Sequence, residues 1–524
     1  MMNKRGLTSM AAVLCLGFVS TATLAYASPD KPAKQEAKAD TAPVRVPDSV
    51  TKGSVTIDGQ RIDYTATAGT IILKNQEGKP TGSMFYVAYV KDGVKDRTQR
   101  PVTFFYNGGP GSSTIWLHMG AFGPQRVVTD DHTHTPPGPY KLVNNEYSLL
   151  DVTDEVFIDM MSTGYSRILD KDKGGVGKWQ DFYGVDPDAH AFAQFIQRYL
   201  NINSRSMSPK YLYGESYGTL RSEVLANYLQ QAEDIDLNGV VLQSAYMGAS
   251  IPYGSDIQYA TNLPSMAADA WYHHKIPNAP DKLQPFLAQV EDFAMGEYTL
   301  ALGKGNKLPA DQRNAILQKL HAYTGLDVAY LDKANMRVTP SQFFHELLSD
   351  QGQTVGRLDG RFAQASMDRM SEGMQYDTQA ASVSSSYMAG FNYYAHNVLK
   401  YGRDEIYRPE AYGIVHAHPW SQDDENLNSR GGRPRPVNGA VNLAQAMKFN
   451  PHLRVEVESG YYDFATPYYG MEYSVAHMDL PANLQSNIQF KYYESGHMIY
   501  VRIPDLKDLH QNVANFIRST DNLQ

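Results

Sequence analysis

Short apolar runs recur along the chain and predict buried strands. The clearest are "PVTFFY", "DEVFIDM", "KYLYG", "NGVVLQSAY", "LRVEVES" and "IQFKYY". Segments with helical periodicity, such as "DAHAFAQFIQRYL", lie between several of these runs. Strands that alternate with helices predict an α/β fold, in which helices flank a mostly parallel central sheet.

Two regions depart from this alternation. Near the start, "SVTIDGQRIDYTATAGTIIL" and "GSMFYVAYV" alternate apolar and polar residues, with turn signals at Asp58-Gly59 and residues 75–78. They predict antiparallel strands. Between about residues 250 and 437, strand signals are few and helical segments such as "DKLQPFLAQVEDFAM" dominate. We therefore predict a core in two parts, 46–250 and 438–524, with a mainly helical cap inserted at 251–437.

The N-terminal segment has the pattern of an export signal. Lys4 and Arg5 precede an apolar run at 10–19, and Ala25-Tyr26-Ala27 follows it. This order predicts a signal peptide at 1–27. Residues 28–45, rich in Pro, Ala and charge, predict a disordered linker. No later apolar run reaches the 18 residues typical of a membrane span, so we expect an exported protein, in a bacterial periplasm or secreted.

Composition narrows the possible activities. A formal net charge of −9 provides no basic excess for neutralising phosphates, which argues against nucleic acid as a partner. The only cysteine, Cys15, lies within the predicted signal. The rest of the chain therefore has no disulfide, thiolate metal site or cysteine nucleophile. The 36 tyrosines are compatible with stacking on sugars or peptides and do not choose between them.

The stretch "KYLYGESYGTLRSEVLANYL" places a serine between two glycines where a predicted strand meets a predicted helix. Gly214, Ser216 and Gly218 fit the Gly-x-Ser-x-Gly pattern of a nucleophile elbow, and a plain tight turn is the alternative. A serine nucleophile needs a histidine base that a carboxylate orients. Asp463 and His497 follow two late predicted strands, at the sheet edge where ligands of open α/β sheets bind.

Other residues are candidates for the remaining parts of an active site. Glu494 is a rival carboxylate, but it lies too near His497 in sequence to face it easily. The backbone N–H of Tyr217 and the glycine-rich loop at 107–111 are candidates for an oxyanion hole. No Lys-Ser/Thr follows those glycines, which excludes a P-loop. His132 and His134 lie in a proline-rich loop that is more typical of solvated side chains than of a metal site.

Six motifs in order give the chain a family resemblance. "NGGPGSS", "GAFGP", "STGYSR", "GESYGT", "GYYDFAT" and "SGHM" together resemble the serine carboxypeptidase family of α/β hydrolases, in its bacterial branch. The match runs from about residue 101 to the C-terminus and is weakest in the inserted region. The resemblance implies no metal and no cofactor, and it implies hydrolysis of peptides with a free C-terminus.

The resemblance also implies roles for particular residues. It assigns a catalytic triad, an oxyanion hole formed by two backbone N–H groups, and contacts to the substrate's terminal carboxylate. By this resemblance, the triad is Ser216, Asp463 and His497. The oxyanion hole is formed by Gly109 and Tyr217, and the carboxylate contacts come from Asn107 and Glu215.

One position departs from the family pattern. Ala121 stands where familiar members carry a second glutamate that pairs with the one before the serine. The sequence therefore leaves open how the terminal carboxylate is recognised, with Arg126 and Arg167 as the nearest motif-linked cations. An esterase or acyltransferase with the same triad is the main alternative activity. A binding protein with an inactive hydrolase fold and a carbohydrate-binding module are weaker alternatives.

Overall fold

The computed structural model of the chain describes residues 47–277, 279–424 and 435–523. The predicted signal peptide at 1–27 and the predicted linker at 28–45 lie outside the described residues. In the described part, no helix combines the length and apolar character needed to cross a membrane.

A ten-stranded sheet forms the centre of the described part, in the order β1-β2-β3-β7-β4-β9-β10-β15-β16, with β8 paired to β3. Three two-stranded sheets, β5-β6, β11-β12 and β13-β14, accompany it. The strands are β1 Ser49–Ile57, β2 Gln60–Lys74, β3 Pro80–Lys91, β4 Val102–Tyr106, β5 Gln125–Val127, β6 Leu142–Asn144, β7 Asp154–Ile158, β8 Arg167–Ile168, β9 Lys210–Glu215, β10 Gly239–Gln243, β11 Gln353–Val355, β12 Ala363–Ala365, β13 Asp423–Asp424, β14 Arg435–Pro436, β15 Arg454–Gly460 and β16 Ile488–Tyr493.

The parallel part of the sheet runs from β7 to β16 and is formed by the six apolar runs. Every residue of β4, β7 and β10 is buried, as expected of strands covered on both faces. In contrast, β1 to β3 pair antiparallel, and a two-residue turn at Asp58-Gly59 joins β1 to β2. Both residues of that turn have positive φ, 46° and 75°, as a tight hairpin requires. The predicted α/β-hydrolase fold is confirmed.

Helices cover the two faces of the sheet. They are α1 Val185–Ile202, α2 Tyr217–Ala232, α3 Asp256–Tyr272, α4 Leu283–Phe293, α5 Thr299–Lys304, α6 Ala310–Thr324, α7 Val328–Lys333, α8 Pro340–Glu346, α9 Thr378–Asn397, α10 Tyr412–Val415, α11 Gly439–Phe449, α12 Tyr468–Ala476, α13 Ala482–Gln485 and α14 Ile503–Thr520. Successive residues of β4 point to opposite faces: Phe104 packs in the core with α1, α2 and α11, and Phe105 packs in the core with α9 and α14.

The region between β10 and β15 adds a third hydrophobic core. Residues from α3 to α8 form it, together with Tyr461, Tyr462, Phe464 and Tyr468 from the segment after β15. This segment also carries Asp463. The inserted helices therefore pack directly against the loop that presents a candidate catalytic residue.

Candidate active site

Ser216 lies at a sharply wound junction between β9 and α2. Its φ of 62° and ψ of −130° belong to a strained region for a residue with a side chain. A Cβ at Gly214 would collide with the carbonyl oxygen of Gly218, and a Cβ at Gly218 would lie 2.9 Å from the carbonyl oxygen of Tyr106. The backbone conformation at this junction therefore leaves no room for a side chain at either glycine. This geometry is that of an elbow and not of a plain turn.

His497 and Asp463 form a buried pair. His497 Nδ1 lies 2.8 Å from Asp463 Oδ2. The same carboxylate accepts hydrogen bonds from the Ala465 N–H at 2.8 Å, the Thr466 N–H at 3.0 Å and the Thr466 hydroxyl at 2.6 Å. Because the carboxylate only accepts, Nδ1 carries the imidazole hydrogen and Nε2 is left to accept a proton.

The backbone of His497 is fixed on both sides. Its N–H donates to the Leu358 carbonyl at 2.6 Å, and its carbonyl accepts from the Ser244 hydroxyl at 2.7 Å. Burial works to lower the pKa of the imidazole, but the attraction and hydrogen bond of Asp463, together with the attraction of Glu215, outweigh it, so the pKa is raised. The site thus stabilises the imidazolium that forms when the ring takes a proton.

The glycine-rich loop after β4 lies against the start of α2. A Cβ at Gly108 would collide with the backbone nitrogen of Tyr217 and lie 2.7 Å from that of Gly218. Gly109 follows with a φ of 110°, a conformation that favours glycine. The loop therefore packs through Gly108 against the first N–H groups of α2, at the positive end of the helix dipole, and Gly109 is the next residue of this loop.

A cavity of about 570 Å³ brings these groups together. Ser216, His497, Gly109, Tyr217 and the pair Asn107 and Glu215 all line it. The inserted region contributes part of the wall. Its lining residues include Arg357, Leu358, Val383, Glu410 and Tyr412.

Glu215 is buried beside the serine, and its carboxylate has defined partners. Oε2 accepts from the Tyr500 hydroxyl at 2.9 Å and from Gln243 Nε2 at 3.2 Å. Burial raises the pKa of Glu215 to about 7, against the lowering effects of His497, Tyr500 and the Asn107 side chain. Glu215 therefore exchanges its proton near neutral pH.

The two cations considered in the sequence do not line the cavity. Arg167 donates to the carbonyls of Gly164 and Ile406, at 2.8 and 2.6 Å. Arg126 lies near Tyr147 and Tyr387 instead. Among the described residues that line the cavity, Arg357 is the one with a cationic side chain of the arginine or lysine type. Sequence motifs did not point to it, because it comes from the inserted region.

The remaining candidates lie apart from this chemistry. Glu494 is exposed and faces Arg502 at 3.9 Å, whereas Asp463 is the carboxylate that contacts His497. His134 Nδ1 pairs with the Thr135 carbonyl at 2.8 Å. Within the described ranges, no cluster of three or more His, Cys, Asp or Glu side chains could hold a metal ion.

Sequence reasoning missed two residues that hydrogen-bond the candidate site carboxylates. Thr466 bonds the Asp463 carboxylate with both its N–H and its hydroxyl, and its spacing from Asp463 was the available signal. Tyr500 contacts Glu215 across 285 positions of sequence, so no local pattern could indicate it.

Comparisons with known proteins agree with this geometry. The family model described as serine carboxypeptidase matches residues 60–502. The pheromone-processing carboxypeptidase KEX1 of Yarrowia lipolytica is 28% identical over 200 residues, which are 38% of this chain and 29% of that protein. Serine carboxypeptidase-like 37 of Arabidopsis thaliana is 23% identical over 217 residues, 37% of this chain and 42% of that protein. The matched segments span less than half of each of these relatives.

A solved structure shares the fold. The crystal structure of KEX1(delta)p, a prohormone-processing carboxypeptidase from Saccharomyces cerevisiae, superposes with a TM-score of 0.54 at 16% identity. The likeness covers 87% of this chain and 91% of that one.

Proposed function

Because the chain belongs to the serine carboxypeptidase family, we propose that it is a serine-type carboxypeptidase that releases C-terminal residues from peptides. The observation that carries the proposal is the buried His497–Asp463 pair, whose histidine lines the same cavity as an elbow serine, Ser216. Nucleophile, base and orienting carboxylate have the roles that acyl transfer requires.

The reaction begins at Ser216. His497 Nε2 accepts the hydroxyl proton while Oγ attacks the carbonyl carbon of the last peptide bond. The N–H groups of Gly109 and Tyr217 donate to the oxyanion of the tetrahedral intermediate. When the C–N bond breaks, His497 gives the proton to the leaving amino group. Water then attacks the acyl-enzyme with His497 again as base, which releases the shortened peptide and restores the serine.

Asn107 and Glu215 account for selection of the chain end. Both are buried and line the cavity beside Ser216. The Asn107 amide can donate to a substrate carboxylate. Glu215, with its pKa raised to about 7, can share a proton with that carboxylate below this pH. Above it, two like charges face each other, so we expect KM for peptides to rise with pH.

Arg357 is the rival reader of the terminal carboxylate. Asp377 Oδ2 accepts from the backbone N–H groups of Arg357 and Leu358, both at 2.8 Å, which fixes the base of this side chain at the cavity wall. If Arg357 reads the carboxylate, KM stays flat between pH 5 and 8, and Arg357→Ala raises it.

An esterase or acyltransferase that uses the same triad is the second candidate. Ala121, in place of the family's second glutamate, favours it, since one group for reading a free carboxylate is missing. The inserted region at 251–437 would serve either activity as a cap over the cavity. A site outside the cytoplasm, in a bacterial periplasm or secreted, and membership of the bacterial branch are further proposals; the sequence pattern at 1–27 and the low cysteine count support them.

Covalent labelling combined with a substrate panel tests the proposal. A fluorophosphonate probe should label the wild type at Ser216, and Ser216→Ala should lose the label. Ser384→Ala, which removes another serine of the cavity wall, should retain it. Blocked dipeptides should be hydrolysed in preference to matched acyl esters with non-peptide acyl groups. Absence of labelling would contradict the serine mechanism, and exclusive ester hydrolysis would favour the second candidate.

A further inference from the structure

We propose that Tyr500 is a positioning residue for carboxylate recognition: its hydroxyl holds one oxygen of Glu215, so that the other oxygen meets the terminal carboxylate of the substrate. The inference rests on the proposed role of Glu215. It adds a residue outside the family motifs and explains how the site works without a second glutamate at position 121.

The geometry of the buried side supports this assignment. Tyr500 is 2% exposed, and its hydroxyl donates to Glu215 Oε2 at 2.9 Å. Gln243 Nε2 donates to the same oxygen at 3.2 Å, and the Tyr213 hydroxyl donates to Gln243 Oε1 at 2.7 Å, which sets the direction of that amide. Two donors therefore occupy Oε2, and the Asn107 side chain also hydrogen-bonds this carboxylate. We assign the substrate carboxylate to the other oxygen, Oε1, beside the Asn107 amide.

Tyr500 also lies beside the position that departs from the family pattern. A Cβ on Gly120 would be 2.6 Å from the Tyr500 ring and 2.5 Å from the Tyr387 hydroxyl. Ala121 itself is fully buried. The side chains of Tyr500 and Tyr387 therefore fill the space next to Gly120, the residue before Ala121. In the family pattern, Glu215 pairs with a glutamate at position 121. Here the Tyr500 hydroxyl, from the segment after His497, is a hydrogen-bond partner of Glu215 instead.

Several charged or titratable groups act on Glu215, from every element packed against it. His497 favours its ionised form, and Asp463 opposes it. Tyr213 of β9, Tyr387 of α9, Tyr412 of α10 and Tyr500 also interact with it electrostatically. Burial raises the pKa of Tyr500 well above its usual value of 10.0, so the phenol donates and does not ionise near neutral pH.

This arrangement predicts a simple titration. Two neighbouring carboxyl groups would titrate as a coupled pair with two apparent pKa values. A glutamate beside a phenol loses a single proton over the same range. In the wild type, KM for a blocked dipeptide should therefore rise with pH through one midpoint, whereas KM for its C-terminal amide should change little.

Tyr500→Phe tests the inference. The carboxylate loses a donor that favours its ionised form, so Glu215 keeps its proton to higher pH. The midpoint of the KM rise should move up by about one pH unit. At pH 8, KM of the variant should then be several-fold lower than that of the wild type. A merely structural defect would raise KM at every pH and leave the midpoint in place, so the shift of the midpoint is the diagnostic result.

Tyr387→Phe is the matched control, because it removes the neighbouring phenol hydroxyl; its midpoint should stay within a few tenths of a pH unit of the wild type. Gln243→Met, which removes the other donor to Oε2, should move the midpoint in the same direction as Tyr500→Phe. It keeps the inference testable if Tyr500→Phe fails to fold. An unmoved midpoint in folded Tyr500→Phe overturns the inference but leaves the proposed function in place. If Tyr500→Phe does not fold, an unmoved midpoint in folded Gln243→Met has the same meaning.

The wild-type profile separates this result from a failure of the proposed function. If wild-type KM shows no rise with pH and Arg357→Ala raises it, Glu215 does not read the carboxylate. If peptide acid and amide behave alike at every pH, the terminal carboxylate is not read at all. Either result removes the premise and overturns the inference with it.

Discussion

At the scale of single residues, four hydrogen bonds converge on the carboxylate of Asp463. They come from His497, from the N–H groups of Ala465 and Thr466, and from the Thr466 hydroxyl. Such convergent donors hold a buried carboxylate in one orientation. The orientation of the imidazole, and with it the free Nε2, follows from this fixed partner.

Asp463→Asn should therefore lower kcat by roughly 10⁴-fold while the fold is retained, because the amide favours the wrong imidazole tautomer. Glu494→Gln is the matched control: it makes the same type of change at an exposed carboxylate that faces Arg502. Steady-state kinetics of both variants, with circular dichroism as the check on folding, measure the effect. A larger loss in Glu494→Gln would mean that the orienting carboxylate has been misassigned.

Glu215 should also leave a signature in stability. Its pKa is raised from 4.5 to about 7 in the folded protein, so the folded state binds the proton more tightly than the unfolded state. The stability that this proton provides is complete below pH 4.5 and is lost as pH rises through 7. Glu215→Gln removes this dependence.

Between pH 4.5 and 8, the free energy of unfolding of Glu215→Gln should therefore gain about 3 kcal/mol relative to the wild type. Urea denaturation at pH 4.5, 6 and 8 measures the difference, and Glu494→Gln serves as the exposed control. A difference between Glu215→Gln and wild type that does not change with pH would show that Glu215 is ionised throughout.

The sequence was sufficient to predict the candidate catalytic residues that directly follow strands. It was insufficient to predict the residues that contact them from distant parts of the chain. Ser216, Asp463 and His497 each follow an apolar run, and the sheet brings the ends of parallel strands to one edge. Tyr500 reaches Glu215, and Arg357 reaches the cavity wall, only through tertiary packing.

At the scale of elements, the site depends on the contact between the loop after β4 and the junction of β9 with α2. Gly108 lies against the backbone nitrogens of Tyr217 and Gly218, where no side chain fits. The proposed oxyanion hole, formed by the N–H groups of Gly109 and Tyr217, depends on this contact. A methyl group between the two elements should separate them.

Gly108→Ala should lower kcat by about 10²- to 10³-fold, the loss expected when an oxyanion donor is displaced. It should also destabilise the protein by roughly 1–3 kcal/mol through overpacking. Gly303→Ala is the control, since Gly303 lies exposed in α5 with open space around its Cβ position. That change should be neutral, or stabilising by up to about 1 kcal/mol. Equal effects of the two substitutions on kcat would contradict the predicted contact.

Long elements were predictable and very short ones were not. The runs that became β4, β7, β9 and β10 are rich in apolar residues, which burial on both faces selects. β15 alternates valine with glutamate, and the edge strand β16 is only partly buried, but both are long enough to show a strand pattern. The two-stranded sheets β5-β6, β11-β12 and β13-β14 have strands of two or three residues. Such strands are too short to show a periodicity.

At the scale of the whole described region, the inserted helices and the core build the site jointly. The loop that carries Asp463 packs into the hydrophobic core of α3 to α8. The Leu358 carbonyl accepts from the His497 N–H at 2.6 Å, and Asp359 Oδ2 accepts from the Gly496 N–H at 3.1 Å. Asp359 is itself paired with buried Arg361 at 2.7 Å. Both late members of the proposed triad are thus held in place by the inserted region.

Sequence reasoning could not foresee this dependence, because it predicted the insertion by its lack of strand signals and not by its contacts. The proposed boundaries at 251–437 and the predicted signal peptide at 1–27 remain predictions. Mutations that break the Asp359–Arg361 pair, which lies outside the cavity lining, should loosen the backbone at Gly496 and His497 without touching substrate.

The central claim is that the enzyme removes residues from a free C-terminus, and mass spectrometry of peptide products tests it most directly. At pH 5, the wild type should shorten an unblocked peptide one residue at a time from its C-terminus. It should act on the C-terminal amide of the same peptide on the order of 10- to 100-fold more slowly, because hydrogen bonds to the carboxylate are lost. Ser216→Ala should give no products. Cleavage at internal bonds, or equal rates for acid and amide, would contradict the account.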